Sequence, residues 1–269
     1  MALFHSNFFS ETLGMQCQAH VILPQPASEL QIGVSSAPKR ERWPCLWLLH
    51  GLSDDHSIWC RNTSIERYAN EAGVAVVMPN AHRSFYVNMK QGEAFGSYLH
   101  EELPRLMRSF FPLSDRKEDN AVAGLSMGGY GASRWLLTKP EAFQAGVSLS
   151  GVLDISSRHQ RAMDNPDEAL RHDTMLRCFG EEPIAGTQVD LFHLLDKADS
   201  PSAPPLLQIC GTEDFLYEDN LRFRDHAQAC KYPLSYEERS GAHDWAFWDR
   251  EIQVALGWLK QQGFANSLS

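Results

Sequence analysis

Short, nearly continuous apolar runs alternate with amphipathic stretches along most of the chain. Cys45–Leu49, Val74–Met78, Ala121–Ala123, Ala145–Leu149 and Leu206–Cys210 have strand length and lack the alternation of a half-exposed strand, as expected for strands covered on both faces. Ser235–Arg239 follows as a further strand. Gln18–Leu23 and Gln31–Val34 read as an antiparallel hairpin joined through Pro24 and Pro26. Helical periodicity fills the gaps. Thr63 to Glu66 fits a capping box opening a helix through Ala72 that Gly73 closes, Phe95–Phe110 and Met127–Thr138 follow, and a last helix spans Trp245 to Gln262. This alternation predicts an α/β fold with a mostly parallel eight-stranded sheet flanked by helices.

Between Asp154 and Pro204 the connection is longer than one covering helix requires. We expect a small helical cap over about 156–204, with Pro201, Pro204 and Pro205 returning the chain to the sheet. No internal repeat or low-complexity segment divides the chain, so residues 1–269 read as a single domain.

The net charge of −10 speaks against nucleic acid and anionic membranes as partners, since both need a basic face. No apolar stretch approaches the ~18 residues of a spanning helix, and Met1–Gly14 carries Glu11 where a signal peptide would be apolar. A cytoplasmic location is therefore expected. The six cysteines show neither the density of a disulfide scaffold nor a C-x-x-C pair, and most are read as buried thiols.

Gly124-Leu125-Ser126-Met127-Gly128 matches G-x-S-x-G between a predicted strand and a predicted helix. That context marks a nucleophile elbow, whose strained serine needs residues without a Cβ two positions before and after it. His50-Gly51-Leu52 follows the strand Cys45–Leu49, so the Leu52 and Met127 amides are the expected oxyanion donors. We assign His50 to buttressing that loop. Asp54, Asp55 and His56 resemble metal ligands only in composition, and neither a metal nor a cofactor is expected.

A carboxylate emerges after the strand Leu206–Cys210 at Glu213-Asp214, and His243 follows the last strand. Asp214 is preferred as the acid with Glu213 as its competitor, Glu218 and Asp219 ranking behind them and read as solvated. The order Ser126, Asp214, His243 is that of the α/β-hydrolases. In that chemistry His243 takes the Ser126 proton while the acid orients the imidazole. Of the aromatic residues near these loops, Trp59 and Trp245 are candidate pocket walls, against a reading as core or loop anchors.

The chain resembles the tributyrin esterase branch of the esterase D and S-formylglutathione hydrolase family. The likeness rests on Leu48–Trp59, Arg61–Ala69, Val76–Tyr86, Glu101–Pro104, Ala123–Ala132, Ser148–Gly151 and Gly241–Trp248. It implies a cytoplasmic carboxylesterase for short acyl chains, with acetylated or feruloylated carbohydrates as substrates of some relatives. It carries over the triad and the two amides, while Ser156–Pro204 shows no matching block. The substrate expected is a small-molecule ester. The alternatives are a thioesterase of the S-formylglutathione hydrolase kind and a catalytically silent scaffold used for binding; the oligomeric state is not readable.

Overall fold

A computed structural model describes residues 1–25 and 40–266. Eight strands form one sheet: β1 (Ala2–Ser10), β2 (Met15–Leu23), β3 (Cys45–Leu49), β4 (Ala75–Pro79), β5 (Asn120–Leu125), β6 (Ala145–Leu149), β7 (Leu206–Gly211) and β8 (Leu234–Arg239). Their spatial order is β1-β2-β4-β3-β5-β6-β7-β8. β1 and β4 each pair antiparallel with β2, and every other neighbour is parallel. All residues of β3 to β7 are buried, which explains why these strands are apolar without alternation.

One expectation is corrected at the N-terminus. The hairpin partner of β2 is β1, in register from Ala2↔Leu23 to Ser10↔Met15, with Gly14 at φ 64° in the turn. The expected strand Gln31–Val34 lies outside the described residues. β1 is the sheet's edge, so Phe4 and Phe9 stay exposed beside buried Phe8 and Ser10, and the alternation that would announce a strand is blurred.

The helices are α1 (Ile58–Asn62), α2 (Ile65–Ala72), α3 (Phe95–Ser97), α4 (Leu103–Phe110), α5 (Met127–Thr138), α6 (Ile155–Asp164), α7 (Ala169–Phe179), α8 (Leu191–Lys197), α9 (Tyr217–Ala229) and α10 (Trp245–Gln261). The predicted helix 95–110 is α3 and α4 joined by a π-helical segment, Tyr98–Glu102. On β3, Trp47 and Leu49 pack into one core layer with Met107 of α4 and Tyr130 and Trp135 of α5. Leu46 and Leu48 pack on the opposite face with Ile65 of α2 and Ile252 and Leu259 of α10. Two-sided burial of this kind is what holds a parallel sheet together, at roughly 25 cal/mol per Å² of apolar surface removed from water.

The capping box at Thr63 does not form. Ser64 is the N-cap without a side-chain bond; Thr63 Oγ1 accepts from Ile65 N–H and donates to Trp59 O, and Asp249 of α10 accepts from Ser64 N–H and Tyr68 Oη. Gly73 closes α2 in the left-handed conformation, as expected.

The long insertion is helical, as predicted, but only its first two helices reach the site. α6 is capped by Asp154, whose side chain accepts from Ser157 N–H, and is tied to the end of α7 by the 2.8 Å contact between His159 Nε2 and Gly180 O. α8 packs on α5 and α9 instead. A carboxylate hub holds α6 down: Asp219 of α9 meets Arg158 at 2.5 Å, Arg222 at 2.5 Å and Arg161 at 3.4 Å. Asp219 is 3% exposed, so the expectation that it is solvated is corrected.

Candidate active site

Loops at the carboxyl ends of β3, β5, β7 and β8 converge on one cavity. β5 runs into Ser126, which stands at φ 54°, ψ −116° before α5 begins at Met127, a conformation costly for a side-chain-bearing residue. The turn is possible because its neighbours lack side chains. A Cβ at Gly124 would lie 2.3 Å from Gly128 O, and one at Gly128 would lie 2.5 Å from Leu49 O. The Ser126 N–H donates to Leu149 O at 2.9 Å, pinning the elbow to β6.

His243 lies with Nε2 3.0 Å from Ser126 Oγ and Nδ1 2.8 Å from Asp214 Oδ2. With the proton on Nδ1, the ring donates to the carboxylate and accepts from the serine hydroxyl. Two aromatic rings fix its plane: Phe215 at 4.5 Å and Trp248 at 4.9 Å between ring centres. The Asp214 side chain is fully buried, and its other oxygen accepts from Leu216 N–H at 2.8 Å. Glu213 points elsewhere. Its carboxylate accepts from Gly241 N–H at 2.5 Å, a bond that holds the carboxyl below its ordinary pKa and fastens the loop before His243. Glu218 is exposed. The carboxylate that meets His243 is Asp214.

His50 is buried between β3 and the loop after β4. Its Nδ1 stands 2.7 Å from Gly51 O, and its Nε2 accepts from Ala81 N–H at 3.0 Å. Burial pushes its pKa down to about 4, so the ring is neutral near pH 7 and can donate at one nitrogen while accepting at the other. Tyr86 Oη donates to His50 O at 2.9 Å. The peptides leading to Leu52 are therefore held from two sides. The Leu52 side chain lines the cavity with Ser126, and Met127 N–H lies in the first turn of α5, where a helix has no internal acceptor for its amides.

The cavity measures about 800 Å³. Besides Ser126 and His243 it is lined by Trp245, Trp248, Phe85 and Phe215, and by Leu170 and Met175 of the insertion. Trp59 is corrected as a pocket wall: it is fully buried beneath the site, donates to Leu49 O and packs edge-on against Trp245 at 5.3 Å. Phe215, the aromatic directly after Asp214, lines the cavity and packs against His243, a contact its sequence position alone does not announce. Arg83, Arg158 and Arg161 were also missed, because nothing in their spacing shows that they share a cavity.

Asp54, Asp55 and His56 do not converge. Asp54 faces the cavity, where burial raises its pKa; Asp55 accepts from Ser57, and His56 packs on His20 at 4.6 Å. Among the described residues, Asp196, His226 and Cys230 do converge, at the opposite end of α9 from Asp214, where His226 and Asp196 already satisfy one another at 2.8 Å. The six cysteines are free thiols, four of them buried.

The family described as "Putative esterase" matches residues 10–259. An acetyl esterase from Caldicellulosiruptor saccharolyticus is 30% identical over 267 residues, covering 97% of this chain and 99% of that protein. The chain belongs to this esterase family. Among solved structures, the fluorophosphonate-binding serine hydrolase FphF of Staphylococcus aureus is 38% identical, with a TM-score of 0.83 over 96% of this chain and 98% of that one. The S-formylglutathione hydrolase FrmB of Staphylococcus aureus is 38% identical, with a TM-score of 0.80 over the same shares. The protein is thus a serine ester hydrolase with the α/β-hydrolase fold. No helix among the described residues is long and apolar enough to cross a membrane.

Proposed function

We propose that this esterase hydrolyses short-chain acyl esters of small molecules through an acyl-enzyme on Ser126. The observation that carries the reading is the unbroken chain Ser126 Oγ, His243 and buried Asp214, at 3.0 and 2.8 Å. His243 Nε2 takes the serine proton as the hydroxyl attacks the ester carbonyl, and Asp214 holds the Nδ1–H tautomer and stabilises the imidazolium. The Leu52 and Met127 amides hold the oxyanion. His243 protonates the departing alcohol, then activates the water that releases the acid and frees Ser126. Residues 1–269 act as one domain in the cytoplasm, without metal or cofactor, in the manner of the tributyrin esterase branch.

The preference for short acyl groups rests on the insertion. Ala162, Leu170 and Met175 of the insertion line the cavity that holds Ser126, together with Phe85 of the loop after β4, and a pocket they bound on the acyl side penalises added methylenes through overpacking. An open groove would reward each with ~0.8 kcal/mol, roughly fourfold in kcat/KM. A second reading, thioester hydrolysis, is favoured by the likeness to FrmB at 38% identity. One preparation tests both. A fluorophosphonate should label Ser126, Ser126→Ala should abolish labelling, and kcat/KM should fall from butyryl to octanoyl p-nitrophenyl esters. A monotonic rise to octanoyl removes the closed-pocket reading, labelling elsewhere removes Ser126, and faster turnover of thioesters than of matched oxygen esters selects the second reading.

A further inference from the structure

A second cavity of about 520 Å³ adjoins the catalytic one. The two share Leu52, Ser53 and Asp54 of the loop after β3, together with Arg83 and Thr174. A substrate extending past the oxyanion loop therefore passes Arg83.

Four arginines line the catalytic cavity, and they are not alike. Arg158 and Arg161 meet Asp219, and Arg171 meets Glu168. Among the described residues Arg83 has no carboxylate within 4 Å. Its Nε and Nη2 both donate to a neutral acceptor, Thr174 Oγ1, at 3.3 and 2.7 Å. A guanidinium carries five N–H donors, so the Nη1 pair and the second Nη2 hydrogen remain, a fork that matches a carboxylate. Arg83 is half-buried, which spares its charge part of the screening that exposed charges undergo. Of the annex acids, Glu93 and Asp173 are exposed with Arg177, while Asp54, which lines both cavities, is half-buried and has its pKa raised by burial.

The backbone around Arg83 is held in an unfavourable shape. His82, Phe85 and Tyr86 stand at φ 47°, 49° and 56°, and such residues persist only where their surroundings fix them. Asn80 Oδ1 accepts from His82 N–H, Cys178 Sγ donates to Arg83 O, and Tyr86 Oη reaches the His50 carbonyl. The segment that braces the oxyanion loop thus also holds Arg83 at the junction of the cavities.

We propose that Arg83 and the annex form a subsite for a carboxylate on the substrate's leaving group. The preferred substrates are then short-chain acyl esters of alcohols or thiols that bear a carboxylate. The assignment rests on the short-chain esterase reading, in which the acyl part is small and apolar and leaves the charge to the other side of the scissile bond.

The test compares 4-acetoxyphenylacetate with its methyl ester, which share the acyl group and nearly the same leaving phenol but differ by one negative charge. The wild type should favour the acid in kcat/KM. In Arg83→Gln the ratio of acid to methyl ester should fall about tenfold or more, the effect of a lost hydrogen bond to a charged group, and Arg83→Lys should recover part of it. Should Arg83→Gln not fold, the wild-type ratio itself should fall as salt rises from about 0.05 to about 0.5 M, because screening acts only on the charged ester. A wild-type preference for the methyl ester, an unchanged ratio in Arg83→Gln or a ratio indifferent to salt would overturn the subsite alone. Turnover of neither ester would overturn the short-chain esterase reading and the subsite with it.

Discussion

On the sheet side of the cavity, backbone nearly touches backbone: Gly124 faces Gly128 O, Gly128 faces Leu49 O, and the Asp214 carboxylate is sealed from water. On the insertion side, α6 is held by Arg158 and Arg161, 21% and 54% exposed, which meet Asp219, and by Arg222, 46% exposed, which meets its cap Asp154. The first wall has no room to move and the second is fastened by long, half-solvated side chains. The difference separates chemistry from selection. On the proposed reading the triad atoms come from the rigid wall and the acyl group meets the adjustable one, while Arg83, on the leaving-group side, belongs to the braced loop after β4.

The largest expected effect lies on the rigid side. Asp214→Asn should lower ester kcat by ~10⁴-fold, because the amide favours the wrong imidazole tautomer. Glu213→Gln should cost less than about tenfold, since Glu213 touches the loop at Gly241 and not His243. Steady-state kinetics on one p-nitrophenyl ester decides between them, and the reverse ranking would give the role to Glu213.

Next in size is Gly128→Ala. Its methyl group would meet the Leu49 and His50 backbone at 2.5 and 2.7 Å, with no flexible atom to yield, so a loss above ~4 kcal/mol or failure to fold is expected. Asp219→Asn breaks the other wall and should cost about 3 kcal/mol, by leaving three guanidiniums around an uncharged amide. Urea denaturation measures both. Equal, small losses would mean that the two walls do not differ in rigidity.

The smallest effect is a pH dependence. His50 and His20 are held near pKa 4 by burial, below the 6.5 of an exposed imidazole. The unfolded chain therefore binds more protons between those values, and the stability these residues contribute is present above about pH 6.5 and lost as pH falls toward about 4. His50→Gln should flatten that slope, read as a smaller difference in urea midpoint between about pH 7 and about pH 5. A slope unchanged by the substitution would show that His50 is not protonated in that range on unfolding.

What the chain reveals by reading alone follows the same division. β3 to β7 are apolar throughout because both faces are covered, and the elbow is visible because Gly124 and Gly128 are obligatory at fixed spacing. Glu213 and Asp214 were separable only by preference, since adjacent carboxylates leave one turn in directions that residue type does not state. Trp59 and Trp245 look equivalent in sequence, yet one lies beneath the site and the other beside it. β1 escaped notice because an edge strand with exposed phenylalanines loses its alternation. The arginines of α6, and Arg83 opposite them, acquire meaning only from tertiary neighbours far apart in the chain.

The insertion leaves the sheet after β6 and returns at β7, two strands paired directly in register from Gly146↔Leu206 to Leu149↔Ile209. Because the two strands are parallel, its ends lie at opposite edges of the sheet, a fixed span of about one strand length along and one strand spacing across whatever lies between them. Closing a longer loop costs little more than closing a shorter one, about 0.6 kcal/mol for each doubling. The stretch can be exchanged like a cartridge: a graft of different length and helix content at the same two strands would inherit the elbow, the histidine and the acid unaltered. Such grafting offers descendants of this protein, natural or made, a route to new substrates that never requires the proton relay to be rebuilt.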